Sequence, residues 1–97
     1  MNVLNQPILD RFVSKHTEMK NAVTTWLSVA KSKQWDSPHQ LKDTFPKASM
    51  LVNNQWWFDL NFGGYRILSK VNFKGHIVMV EKVCSHDEYM RLRKKQS

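Results

Sequence analysis

Apolar positions recur at helical spacing through the first half of the chain and at strand spacing after Met50, so the fold class changes partway along the sequence. Ile8, Leu9, Phe12 and Val13 repeat between Gln6 and His16 and predict a short amphipathic helix, with Pro7 in a first turn where its missing N–H costs little. After Thr17, a residue able to cap, Met19, Ala22, Val23, Trp26, Leu27 and Ala30 form a second helical stripe, and Lys15, Lys20, Lys31 and Lys33 fall outside it. Ser37 followed by Pro38 suits the cap and first position of a third, shorter helix carrying Leu41 and Phe45, which Pro46 would end.

Strand-like runs then follow at Met50 to Val52, Gln55 to Phe62, Tyr65 to Phe73 and His76 to Val83. Asn53 with Asn54, Gly63 with Gly64, and Lys74 with Gly75 supply the turns between them. Alternation places Trp56, Phe58, Leu60 and Phe62 on one face and Trp57, Asp59 and Asn61 on the other. In the next run Arg66 and Lys70 project together, and in the last Lys82 shares a face with Val78, Val80 and Cys84 while Glu81 lies opposite. If Lys82 takes the side of Arg66, a basic patch forms beside His86. The expected architecture is α+β, with helices packed on one face of a curved antiparallel sheet of three to four strands and a short C-terminal helix.

The chain has 97 residues, enough for one domain spanning residues 1–97 with a modest core. Its 15 Lys and Arg against 8 acids give a net charge of +7, which favours a polyanion or an acidic protein as partner. A single cysteine, Cys84, excludes an internal disulfide and a cysteine-rich zinc site. No apolar run approaches the ~20 residues of a membrane span and nothing at the start resembles a signal peptide, so a cytoplasmic protein without membrane partners is expected. His16, His39, His76 and His86 are scattered without metal-ligand spacing, and neither a metal nor another cofactor is expected.

Several side chains admit two readings. His86, with Asp87 and Glu88, either opens a helix capped by Ser85 or supplies chemistry, and the two roles are compatible. Arg66 could be an ion-pair partner of Asp59. Trp57 is the tryptophan expected to face a partner, and Cys84 reads as a small apolar filler. Arg91, Arg93, Lys94 and Lys95 form either a solvated end or an anchor for RNA.

Two segments, Trp57-Phe58-Asp59-Leu60-Asn61-Phe62-Gly63-Gly64-Tyr65-Arg66 and Cys84-Ser85-His86-Asp87-Glu88-Tyr89, carry a resemblance. In this order and spacing the chain resembles the HigB-type branch of the RelE toxin superfamily. That family shows an aromatic strand entering Asn-x-Gly-Gly, a strand bearing Arg, and a terminal Thr-His-x-Glu-Tyr, with Ser85 here in place of Thr. The resemblance implies an mRNA endoribonuclease acting at the ribosomal decoding site, neutralised by a HigA-like helix-turn-helix antitoxin and touching operator DNA only through it. Arg66, His86 and Tyr89 would then be catalytic, with Lys70, Lys82, Asn61, Arg91, Arg93 and Lys94 contacting RNA. In such a reaction the 2′-hydroxyl attacks phosphorus, the 5′-oxygen leaves, and a 2′,3′-cyclic phosphate remains. Arg66 would steady charge on the phosphoryl oxygens, His86 would exchange the proton, and Tyr89 would donate one or stack on a base. These toxins often carry an arginine in the last strand, where Glu81 stands beside Lys82. By alternation Lys82 could replace it only across a bulge, and a weak or highly selective nuclease would fit the change. The competing reading is a non-catalytic basic module of the same fold that grips RNA, the ribosome or an antitoxin.

Overall fold

The computed structural model describes residues 1–60, 63–88, 90 and 91. Along the chain run β1 (Asn2–Leu4), α1 (Gln6–Lys15), a 3-10 turn (Thr17–Met19), α2 (Lys20–Ser32), α3 (Pro38–Thr44), β2 (Ser49–Met50), β3 (Gln55–Asp59), β4 (Tyr65–Asn72) and β5 (Ile77–Ser85). Residues 86–88, 90 and 91 are helical, as expected after the last strand. The sheet has five strands in the order β1-β5-β4-β3-β2, one more than the upper expectation. The additional strand is β1, which pairs parallel with β5 through Val3 opposite Val78, so the sheet is mixed rather than purely antiparallel. Three residues paired with a segment more than seventy positions away leave no local periodicity to read.

The helices cover one face of the sheet. Leu9, Val23, Trp26, Ala30 and Leu41 from the helices pack with Trp56, Phe58, Ile67, Val71, Val78 and Val80 in one buried cluster. Trp26 meets Phe58 edge-on, their centroids 5.3 Å apart, and Phe45 sits edge-on to both Phe58 and Trp35. Each such side chain contributes about 1.5–3 kcal/mol by leaving water, and an edge-to-face pair about 0.5–1.5 kcal/mol more. Ser69 is the polar exception on this face: it is fully buried, and its Oγ has no hydrogen-bond partner among the described residues.

Local chemistry explains the connections. Ser37 caps α3 by accepting from the Gln40 N–H at 3.4 Å, and Pro38 takes the first helical position. Thr17, expected as a cap, instead lies within the 3-10 turn, and neither that turn nor α2 has a side-chain N-cap. Asn53 and Asn54 both adopt positive φ, 59° and 63°, the backbone a tight hairpin turn requires. Gly63 also has positive φ, and a Cβ there would lie 2.7 Å from Met19 Sδ, so a side chain would strain the backbone and push the Met19 thioether aside. In the last hairpin the left-handed residue is His76 rather than Gly75; its ring meets Asp36 Oδ1 at 2.7 Å, tying that turn to the α2–α3 connection.

A β-bulge resets the last strand. Leu68 faces Lys82 but the next residue, Ser69, faces Val80, so Glu81 is the extra residue. Val78 and Val80 therefore point into the helical core, while Lys82 and Cys84 point to the opposite face. This corrects the strict alternation that grouped Lys82 with Val78 and Val80. Glu81 is not opposite Lys82 either: its carboxylate reaches the face of Lys82, where Gln55 holds it. Among the described residues, no helix is long and apolar enough to cross a membrane.

Candidate active-site face

The sheet face turned away from the helices has an apolar floor and a charged border. Trp57, Leu68 and Cys84 form a second buried cluster with Leu51 packed against it. Trp57 is only 2% exposed, so it serves as floor rather than as the partner-facing tryptophan the alternation suggested. Burial pushes the Cys84 thiol above its ordinary value of 9.0, against the pull of the neighbouring Lys82 ammonium. Cys84 is thus a filler held protonated, as its composition implied.

Around this floor the strands place the charges. Asp59 and Arg66 are cross-strand partners, and Arg66 Nη1 donates to Asp59 Oδ2 at 3.2 Å, both side chains half-buried. The ion pair expected from sequence is present, and it aims the guanidinium along the sheet face. Arg66 lies opposite Cys84, and Lys82 lies opposite Leu68 one pleat further along the same face. Lys70 is exposed two residues beyond Leu68. The condition for a basic patch is therefore met, and the bulge is what meets it.

His86 leaves β5 beside the turn that opens β4. Tyr65 faces Ser85, and a Cβ placed on Gly64 would lie 3.9 Å from the His86 Cβ. His86 and Arg66 thus share one end of the sheet. Ser85 Oγ accepts from the Glu88 N–H at 3.3 Å, so the capped-helix reading holds, with exposed His86 as the first residue of the helical turn. Arg91 is helical and exposed, while Asn61, Tyr89, Arg93 and Lys94 lie outside the described residues.

One pair escaped sequence reasoning. Gln55 Nε2 donates to Glu81 Oε1 at 2.8 Å, crossing from β3 to β5 above β4. No sequence signal connects these positions, because their approach depends on the bulge. Cavities lie on both sides of the sheet. One of about 460 Å³ lies on the helical side, with apolar walls from Ala22, Trp26, Phe45 and Leu60 and acidic Glu18 and Asp59 at its border, a lining that repels phosphate. Another of about 430 Å³ lies on the cationic face, bordered by Lys70, Asn72, Ile77, Met79 and Leu4. Among the described residues, no three His, Cys, Asp or Glu side chains are grouped to hold a metal ion.

A helical layer thus covers one side of a small mixed sheet, and cationic residues gather at a bulge on the other. The family of HigB toxins, the RelE-like toxic component of a toxin-antitoxin system, matches residues 19–92, and the chain belongs to that family. A curated relative, the mRNA interferase HigB of Escherichia coli O6:H1 strain CFT073, is 21% identical over 94 residues, spanning 95% of this chain and 91% of that protein.

Proposed function

We propose that this chain, as one toxin domain over residues 1–97, is an mRNA endoribonuclease that acts on messages in the ribosome and is silenced by a HigA-like antitoxin. The observation that carries the reading is that Arg66 and Lys82 share the sheet face that the helices leave uncovered, with His86 at the same end of the sheet. A 2′-hydroxyl attacking the adjacent phosphorus must lose a proton, the departing 5′-oxygen must gain one, and the phosphoryl oxygens carry added negative charge between the two events. Arg66, oriented by Asp59, offers a planar fork to those oxygens, and Lys82 adds a point charge one pleat away. His86 is exposed beside Gly64 at the same end of the sheet and is the proton-exchanging group in the reading. Tyr89, three residues further on, is the second proton-bearing group in the reading. The product is a 2′,3′-cyclic phosphate. Asn61 would position the strand, and Lys70, Arg91, Arg93 and Lys94 would extend the contact with RNA, their charge adding salt-sensitive affinity.

The test is induction of the chain in growing cells followed by primer extension on translated messages. The parent is expected to arrest growth and generate new 5′ ends. Arg66→Ala should lower cleavage by on the order of a hundredfold, the usual consequence of removing one group that stabilises developing charge. His86→Ala should do likewise, with both variants still folded. Growth arrest by the parent without new ends would replace the nuclease reading with ribosome obstruction by a non-cutting RNA-binding module.

A further inference from the structure

We propose that Glu81, held by Gln55, is a specificity-determining residue that selects guanine beside the scissile phosphate. The inference rests on the nuclease reading above and adds the base that it prefers. Glu81 stands on a strongly cationic protein, on the very face where an RNA backbone would be drawn, and a carboxylate there repels phosphate. A residue that weakens backbone binding at such a place fits better with the base than with the phosphate.

Its geometry supports this role. The bulge between Val80 and Lys82 brings the Glu81 carboxylate to the face of Arg66, and the 2.8 Å hydrogen bond from Gln55 Nε2 to Oε1 fixes its direction. Leu68, opposite Lys82, lies two residues along β4 from Arg66, or about 7 Å at strand rise. A phosphate on Arg66 therefore leaves an adjacent base within reach of the Glu81–Gln55 pair. Both Glu81 and Gln55 are partly accessible, and they stand above the buried Trp57–Leu68–Cys84 cluster, which keeps the strands beneath them packed.

An ionised carboxylate only accepts hydrogen bonds. Guanine alone offers it two neighbouring donors on its Watson–Crick edge, N1–H and the 2-amino group. Adenine and cytosine each set an acceptor next to their amino donor, and that acceptor faces a carboxylate unfavourably. Uracil offers one imide N–H flanked by two carbonyls. Glu81 therefore favours guanine, whereas an amide in its place, with one donor and one acceptor, matches adenine or cytosine.

The experiment maps all cleavage sites after induction of the parent and of Glu81→Gln, which keeps the size and the acceptor that Gln55 needs. Thermal melts of both proteins confirm equal folding. The parent is expected to cut with guanine enriched at one position next to the cleaved bond, and Glu81→Gln to lose about tenfold of that enrichment in favour of adenine or cytosine. A short RNA with inosine at that position, lacking the 2-amino group, should be cut less than its guanosine counterpart by the parent and equally by the variant. Unchanged site preference in the variant, with cutting intact, overturns the role of Glu81 and leaves the nuclease reading standing. Loss of all cutting by a folded Glu81→Gln also overturns it, by making Glu81 part of the reaction itself. A parent that produces no cleavage overturns the nuclease reading and this inference together.

Discussion

The two faces of one sheet divide the work of this protein. On the helical face Trp56, Phe58, Ile67, Val71, Val78 and Val80 are covered by α1, α2 and α3, and the buried Ser69 hydroxyl there has no hydrogen-bond partner among the described residues. On the other face the buried cluster is small, Trp57, Leu68 and Cys84, and it is bordered by Arg66, Lys82, Glu81 and Gln55 in mutual or cross-strand arrangement. The same strands thus donate apolar side chains for stability to one side and charged side chains to the other. The lesson is that a small fold separates an apolar core from a charged face by parity along a strand, and that one bulge is enough to move a cation between the two.

The comparison breaks most visibly if both faces respond alike to truncation. Phe58→Ala, which empties the aromatic contacts with Trp26 and Phe45, should cost about 3–5 kcal/mol in urea unfolding. The Arg66→Ala change across the sheet, by contrast, should move unfolding by less than about 1 kcal/mol while abolishing most cleavage. Equal losses of stability from the two substitutions would contradict the division. A smaller effect of opposite sign is expected at Ser69. Replacing it by Ala removes a buried hydroxyl that has no partner among the described residues and should raise stability by about 1 kcal/mol; a clear loss would mean that the hydroxyl is satisfied.

The smallest expected effect lies on the cationic face and depends on pH. Because burial raises the Cys84 thiol in the folded chain, its contribution to stability is fully present below the unfolded value near 9.0 and declines as pH rises toward the folded one. Melting temperatures of the parent should therefore fall more between pH 8 and pH 10, on the order of the thiol range, than those of Cys84→Ala. The thiol should also resist alkylation at neutral pH until the protein unfolds. Parallel pH profiles for parent and variant would remove Cys84 from the account.

Much of the fold was legible because it rests on local rules. The Ser37–Pro38 start of α3, the paired asparagines of the first hairpin and the adjoining glycines of the second each follow from backbone preferences of a few residues. The partition of Trp56 and Phe58 from Trp57 and Asp59 follows from the two-residue period within β3. The Arg66–Asp59 pair was legible for the same reason, since seven residues and one tight turn separate them. What escaped was non-local. β1 needs β5 beside it to exist as a strand, and Trp57 is buried by Leu51, Leu68 and Cys84 from three other segments.

By itself the order of residues determined the α+β class, the turns, the basic balance and the membership in a toxin family, since these depend on composition, short-range periodicity and motif spacing. Tertiary structure alone decided which cations share a face. A strand's parity is readable only while its pairing is regular, and the extra residue at Glu81 is revealed only by Leu68 and Ser69 on the neighbouring strand.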